Sequence, residues 1–199
     1  MRIGIFGGTF DPPHIGHLIL AEDACAQMGL DQVLWVLTPF PPHKKRQKIS
    51  PVQDRMSMVL LAIAGNSNFN LSRVDIDRDP PHYAVDTVAL LREKNPKDEF
   101  FYLMGADSLI DLPTWHEPQR FISQCRGIAV MKRQDETIDT SKIELEIGSL
   151  KGKLYFLQTP QIEISGSDIR LRAASGKSFR YLVPDKIYHF ILNHKLYQP

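Results

Sequence analysis

Short apolar runs alternate with longer amphipathic stretches along most of this chain. The pattern predicts buried strands at residues 3–6, 32–38, 100–104, 127–131 and 154–158, and an alternating strand nearer a sheet edge at 70–76. Helices are predicted at 18–28 (ending at Gly29), 52–64, 84–94, 118–124, 167–174 and 184–194, the second introduced by a Ser50-Pro51-Val52-Gln53 capping box. Residues 134–153 are polar and are predicted to form an irregular excursion.

Strands that alternate with helices predict a mostly parallel sheet with helices on both faces, because parallel neighbours need crossover connections. The expected fold class is therefore α/β, doubly wound, with a small helical part at the C-terminal end of the sequence. In such folds ligands bind at the carboxyl ends of the strands, near a switch in strand order.

Composition narrows the classes of protein to consider. The 199 residues are expected to form one domain, and a formal net charge of +1 argues against a general nucleic-acid binder. The two cysteines, Cys25 and Cys125, suggest no disulfide framework, and no apolar run approaches the roughly 20 residues of a membrane span. Because the sequence enters a strand at once, without a signal peptide, we expect a soluble, cytoplasmic protein without membrane partners.

The connection after the first predicted strand, GGTFDPPHIGH, is richer than a strand-to-helix turn requires. It is neither the G-x-G-x-x-G of hydride-transferring dinucleotide enzymes nor a P-loop. Gly7 and Gly8 allow a sharp turn and close approach to a ligand, and the two prolines stiffen the entry to the helix. His14 and His17 share one side of the first helical turn, where free N–H groups favour an anion. These residues predict a phosphate site.

Simpler interpretations of the same residues stay open at this point. A Gly-Gly pair is often only a tight turn, and a histidine is often structural. The two histidines could bind a metal, for which Asp11 is the only nearby third ligand in sequence. Ser165 and Asp168 match a helix N-cap pattern, which does not exclude a phosphate-binding role for the same helix start.

Taken together, the motifs resemble those of the H-x-G-H nucleotidyltransferases, whose fold is a Rossmann-like α/β fold. Five further segments, FPPHK, HYAVDT, GADSLIDLPTW, ISGSDIR and the Val183-Pro184 and Tyr188 pattern, are similar to the bacterial nicotinate mononucleotide adenylyltransferases. The matches follow the family order from Ile3 to about Ile191. The resemblance implies transfer of the adenylyl group of ATP to nicotinate mononucleotide, with release of pyrophosphate, in NAD biosynthesis.

The resemblance also implies residue roles. The expected catalytic residues are His17 at the α-phosphate, His14 at the neighbouring phosphates, Lys44 as a mobile clamp and Arg170 at the β- and γ-phosphates. The expected ATP site further includes Gly7, Gly8, Thr9, Phe10, Ile164, Ser165 and Ser167, with Gly105 and Asp107 at the adenosine ribose. For nicotinate mononucleotide, Trp115 would stack on the pyridine, the main-chain N–H groups of Ala84 and His116 would hold its carboxylate, and Arg133 would contact its phosphate.

The attacking group in this reaction is already a phosphate oxygen, so no nucleophile has to be activated. Positioning and cationic groups therefore carry the catalysis. Mg²⁺ is expected to arrive with ATP, with no dedicated protein metal site. Two residues depart from the family pattern: Ala84 replaces a threonine, and Gly166 replaces a serine or alanine.

Three alternatives are weighed against this interpretation. The acceptor could be pantetheine phosphate or a cytidylyltransferase substrate, although HYAVDT and LPTW together are not expected there. The amidated mononucleotide could be used equally well. The chain could be a nucleotide-sensing module without turnover, against which the joint presence of His14, His17, Lys44 and Arg170 argues. The sequence leaves a homo-oligomer open.

Overall fold

The computed structural model describes residues 1–41, 49–131, 138–148, 150–160 and 162–198. The described strands are β1 (Arg2–Gly8), β2 (Gln32–Leu37), β3 (Phe69–Ser72), β4 (Glu99–Gly105), β5 (Gly127–Met131) and β6 (Leu154–Leu157). The described α-helices are α1 (Ile15–Met28), α2 (Val52–Ile63), α3 (Ala84–Lys94), α4 (Ala106–Ile110), α5 (Pro118–Gln124), α6 (Thr140–Ile147), α7 (Gly166–Ala174) and α8 (Asp185–Asn193).

The six strands form one parallel sheet in the order β3-β2-β1-β4-β5-β6. The chain builds outward from β1 to β3, then returns to the other side of β1 and builds outward from β4 to β6. The strand order therefore reverses between β1 and β4, and a crevice opens at their carboxyl ends. This arrangement confirms the predicted doubly wound α/β fold.

Alternating side chains place a hydrophobic layer on each face of the sheet. Ile5 and Tyr102 belong to the layer that packs on α3, α5 and α6, whereas Trp35 and Phe101 belong to the layer that packs on α1 and α2. A third cluster joins Met58 of α2 to residues of α7 and α8. The C-terminal helices thus pack on α2, and the first residue of α7, Gly166, lines the crevice.

Some sequence predictions about elements were wrong in detail: α1 begins at Ile15 and not at Leu18, and α4 was not predicted. The Ser50 capping box does not form, because Pro51 is the N-cap of α2 and no side chain caps it. The edge strand β3 stops at Ser72 and does not reach Ile76, since residues 74–77 turn. Within the predicted excursion, residues 140–147 form α6, which buries Ile143 and Ile147 and is capped by the Asp139 side chain accepting from the N–H of Lys142.

Candidate active site

The connection from β1 to α1 packs tightly against aromatic side chains. A Cβ at Gly7 would lie 2.5 Å from the Tyr102 hydroxyl oxygen, and a Cβ at Gly8 would lie 2.9 Å from the Phe10 ring. Phe10 itself adopts a left-handed φ of 47° and is buried. The protein's own packing therefore favours glycine at positions 7 and 8.

The two histidines of this connection form a stacked pair. Their ring centroids are 3.6 Å apart, and the rings are inclined by 22°. The main-chain N–H of His14, the N-cap of α1, donates to Nδ1 of His17 over 3.1 Å. Phe10 meets the His17 ring edge-on, with centroids 5.2 Å apart. The stacking, the edge-on contact with Phe10 and the hydrogen bond from the His14 N–H together orient the His17 ring.

His14 is buried, and its Nδ1 has no hydrogen-bond partner among the described residues. Burial lowers the pKa of His14 to about 4, so the ring is neutral near pH 7. A neutral imidazole with an unpartnered buried nitrogen is well suited to form a hydrogen bond with a ligand that enters the crevice.

A cavity of about 540 Å³ occupies the crevice beside this pair. Twelve of the residues predicted from the sequence line it: Gly7, Gly8, Thr9, His14, His17, Ala84, Gly105, Asp107, Trp115, His116, Ile164 and Ser165. Phe10 and Ser167 are not among the lining residues, although Phe10 contacts the His17 ring edge-on. Lys44 and Arg133 lie outside the described residues.

The α7 end of the cavity joins two distant parts of the sequence. Ser165 caps α7 by accepting from the N–H of Asp168 over 3.1 Å, as the N-cap pattern predicted. Arg170 is not a lining residue, and its guanidinium donates to the carbonyl of Asp11 over 2.7 Å. Gly166 lies close above that bond, since a Cβ there would be 3.2 Å from the Asp11 carbonyl oxygen. A larger residue at 166 would press on this contact.

The opposite end of the cavity is lined by the start of α3 and by Trp115. Ala84 is the first residue of α3, where main-chain N–H groups have no acceptor within the helix. Trp115 is half-buried against Tyr102 and Phe121, with ring centroids 6.0 and 5.3 Å away. His116 stacks on Tyr83 at 4.1 Å. This end combines an aromatic surface with free main-chain donors.

Sequence reasoning missed a buried polar cluster behind this end. Asp75, only 2% exposed, accepts hydrogen bonds from Arg78 at 3.0 Å and from the Thr87 hydroxyl at 2.8 Å. Asp75, Thr87 and the buried His82 line the cavity. The alternation of residues 70–76 predicts a strand and therefore gives no sign of a buried carboxylate at Asp75. The charged segment DRDPPH, which begins two residues later, is the available signal.

The sequence motifs also gave no sign of Arg55, which lies below the carboxyl ends of β1 and β2. This fully buried side chain donates to the carbonyls of Thr9, Thr38, Pro39 and Ser50 over 2.8–2.9 Å. It thereby connects the ends of β1 and β2 with the start of α2. Desolvation lowers the pKa of Arg55, and the nearby Asp11 carboxylate opposes that effect.

Neither a metal cluster nor a membrane-spanning helix is found in the part of the chain that the structure describes. No three His, Cys, Asp or Glu side chains there are grouped to hold a metal ion. No described helix is long and apolar enough to cross a membrane.

Comparisons with known proteins agree with this geometry. The cytidylyltransferase-like family model matches residues 5–172. A probable nicotinate-nucleotide adenylyltransferase of Thermomicrobium roseum is 42% identical over 99% of this chain and 92% of that protein. The nicotinate-nucleotide adenylyltransferase of Bacillus subtilis is 36% identical over 99% and 98%, respectively.

Solved structures show the same fold. The nicotinic acid mononucleotide adenylyltransferase of Plasmodium falciparum, complexed with NaAD, matches with a TM-score of 0.82 at 18% identity, over 98% of this chain and 97% of that one. The family-model match and the full-length relatives assign this chain to the cytidylyltransferase-like family and, within it, to the nicotinate-nucleotide adenylyltransferases, which are nucleotidyltransferases.

Proposed function

We propose that this chain transfers the adenylyl group of ATP to nicotinate mononucleotide within the 540 Å³ cavity, giving nicotinate adenine dinucleotide and pyrophosphate for NAD biosynthesis. The observation that carries the proposal is the shared cavity. The His14–His17 pair lies at one part of its lining, and the start of α3 with Trp115 lies at another. One cavity therefore offers donors for phosphates together with a surface for a pyridine ring.

In the proposed reaction, a phosphate oxygen of nicotinate mononucleotide attacks the α-phosphorus of ATP. A new P–O bond forms, the bond from the α-phosphorus to the α–β bridging oxygen breaks, and pyrophosphate leaves with the electron pair. The attacking oxygen is already ionised, so no residue has to remove a proton. The protein must instead align the two phosphates and stabilise the charge that develops on the oxygens.

His17 is the proposed donor to the α-phosphate. Because its Nδ1 accepts from the His14 N–H, the neutral ring carries its proton on Nε2. The ring can therefore donate from Nε2 without first changing tautomer. His14, neutral and unpartnered at Nδ1, is proposed to contact the neighbouring phosphates.

Arg170 and the α7 N-terminus are proposed to hold the β- and γ-phosphates. The bond from Arg170 to the Asp11 carbonyl leaves the other guanidinium donors for a phosphate. Asp107, at the N-terminal turn of α4, and Gly105 are proposed to receive the adenosine ribose, since among the described residues only the chain neighbours of Gly105 come within 4 Å of its Cβ position. Lys44 and Arg133 remain proposed ligands on the family pattern alone.

The nicotinate ring is proposed to stack on Trp115, with its carboxylate directed to the N–H groups of Ala84 and His116. Trp115 packs on Tyr102 and Phe121 with part of its surface and lines the cavity with another part. The dipole of α3 also favours a negative charge at Ala84.

Mg²⁺ is proposed to enter with the ATP phosphates. Asp11, the carboxylate nearest in sequence to the histidine pair, already accepts from the Tyr197 hydroxyl and the Ser50 N–H. This donor set fits an ion coordinated mainly by phosphate oxygens and water, as hard Mg²⁺ prefers. When bound, the ion would neutralise charge on the leaving pyrophosphate. A single domain over residues 1–199, a cytoplasmic location and a homo-oligomer likewise stay predictions.

The decisive experiment measures pyrophosphate release with ATP and a panel of acceptors: nicotinate mononucleotide, nicotinamide mononucleotide, phosphopantetheine and, with CTP, a phosphorylated polyol. We expect the highest kcat/KM with nicotinate mononucleotide. Preference for phosphopantetheine or for CTP would assign the cavity to another acceptor. ATP binding without any turnover would favour a nucleotide-sensing module.

A further inference from the structure

The Asp11 carboxylate is a buried group that the proposed chemistry does not use. One of its oxygens accepts from the Tyr197 hydroxyl over 2.7 Å, and the other accepts from the Ser50 N–H over 3.1 Å. The Asp11 carbonyl accepts from the Arg170 guanidinium over 2.7 Å. Asp11 thus links the loop after β1 to Ser50, Arg170 and Tyr197, which are all distant in sequence.

Tyr197 reaches this position through a specific turn after α8. The N–H groups of Lys195 and Leu196 donate to the carbonyls of Leu192 and Ile191, which is a Schellman ending of the helix. Lys195 and Tyr197 both adopt left-handed backbone conformations, with φ of 51° and 63°. Such values are uncommon for residues other than glycine. At Lys195 the value belongs to the Schellman ending, and Tyr197 is held by its hydrogen bond to Asp11.

The Tyr197 hydroxyl is partly buried and donates to the Asp11 carboxylate, so an ionised tyrosine would be unfavourable there. Burial and the adjacent Asp11 raise the pKa of Tyr197 well above its ordinary range, so the hydroxyl keeps its proton. The buried Arg55 is close enough for both Asp11 and Tyr197 to affect it. Tyr197 is not among the residues that line the cavity.

Few contacts fix the guanidinium of Arg170. In the described residues, its one hydrogen bond goes to the carbonyl of Asp11. The carboxylate of Asp11 is in turn held by Tyr197 and Ser50. These two bonds therefore also fix the direction of the Asp11 carbonyl. A Cβ at position 166 would lie 3.3 Å from Arg170 Nη1, so the glycine there leaves room for the guanidinium beside the Asp11 carbonyl.

We propose that Tyr197 is a positioning residue for the triphosphate end of the site, which acts by holding Asp11 so that the Asp11 carbonyl orients Arg170. The inference rests on the proposed assignment of Arg170 to the β- and γ-phosphates. It goes beyond that assignment because it gives Tyr197, which does not line the cavity, a role in substrate binding.

The test compares a triphosphate with a monophosphate. Calorimetry measures the Kd of AMP and of an ATP analogue whose α–β bridging oxygen is a methylene, so that pyrophosphate cannot leave. Tyr197→Phe removes only the hydroxyl and keeps the ring. We expect it to weaken the analogue about tenfold, or about 1.4 kcal/mol, while AMP changes less than twofold. Tyr181→Phe, at a tyrosine 87% exposed, is the matched control and should change neither.

Two further variants connect the effect to its cause. Arg170→Gln should show the full triphosphate-specific loss, because it removes the phosphate ligand itself. Asp11→Asn should show the same selectivity as Tyr197→Phe, and the double variant should be no worse than the poorer single one, since both act through one contact. Unfolding midpoints for all variants report any general loss of stability.

The outcomes separate this inference from the proposed function. Equal weakening of AMP and the analogue by Tyr197→Phe, or no weakening of either, would overturn the positioning role. If Arg170→Gln is itself unselective, the assignment of Arg170 to the β- and γ-phosphates is wrong, and the inference fails with it. Pyrophosphate release by the unaltered chain tests the reaction separately, and the binding comparison does not depend on it.

Discussion

The main-chain N–H of His14 donates to Nδ1 of His17, and the two imidazole rings stack with centroids 3.6 Å apart. One residue thus sets the tautomer and the orientation of the other. The H-x-G-H spacing places His14 at the N-cap and His17 at the third helical position, so the geometry of a helix start creates the pair.

His17→Ala should lower turnover by roughly two orders of magnitude or more, the scale of losing one donor to a transition state. Binding of ATP should weaken much less, because the proposed contact strengthens as charge develops on the α-phosphate. Steady-state kinetics and calorimetry measure the two effects. His189→Ala, at an exposed histidine of α8, serves as the control. Near-normal turnover in a folded His17→Ala protein would remove His17 from the mechanism.

The unfolding free energy should fall as the pH drops from about 6.5 towards 4. Burial lowers the pKa of His14 from 6.5 to about 4, so the unfolded chain binds more protons than the folded chain in this window. A shift of this size corresponds to about 3 kcal/mol, present above pH 6.5 and lost on acidification. Lowered by burial, the pKa of His82 acts in the same direction.

Urea unfolding at a series of pH values measures this dependence. His14→Gln should flatten the slope between pH 4 and 6.5 relative to the unaltered chain. An identical slope in the His14→Gln protein would show that His14 is not the titrating group.

Gly105→Ala should leave stability unchanged and raise the KM for ATP. Apart from its two chain neighbours, no residue in the described part of the chain comes within 4 Å of the Cβ position, and the backbone φ of −80° suits alanine. The methyl group would therefore occupy space proposed for the ribose. Thermal unfolding and ATP kinetics check both halves, with Gly7→Ala as the contrast that should destabilise the fold, since its Cβ would meet Tyr102 at 2.5 Å. An unaltered KM in Gly105→Ala would place the ribose elsewhere.

Turnover should require Mg²⁺ or a similar hard cation, supplied with the nucleotide. Dialysis against a chelator should abolish activity, and added Mg²⁺ should restore it, while metal analysis of the purified protein should show little tightly bound transition metal. Stoichiometric zinc that survives dialysis, with loss of activity on its removal, would instead support a metal-ligand role for His14 and His17.

Nicotinate mononucleotide should be preferred over the amide by about 10²-fold or more in kcat/KM. Two N–H donors can each meet a carboxylate oxygen, whereas the amide directs its own NH₂ at one of them, and an unpaired buried donor costs about 1–3 kcal/mol. Ala84→Thr should be neutral or modestly lower the KM for nicotinate mononucleotide, because it restores a hydroxyl without moving the N–H. Comparable kcat/KM for the two mononucleotides would show that these N–H groups do not set specificity.

The sequence alone determined the elements whose signals are local. Hydrophobic periodicity identified the central strands, and α3, α5 and β5 begin and end where the pattern predicts. The H-x-G-H spacing and the Ser165 cap are likewise local, because a helix start depends on residues three apart. Twelve predicted site residues line one cavity because parallel strands bring their carboxyl ends, and the residues that follow them, to one edge of the sheet.

Only the tertiary structure decided the contacts between residues far apart in the chain. Asp75 and Thr87 meet beside a turn where sequence alternation predicts a strand. Arg55 contacts four carbonyls that no motif connects. Tyr197 bonds to Asp11 across 186 positions. Such contacts depend on how packed elements converge in space, and a linear pattern carries no signal for that convergence.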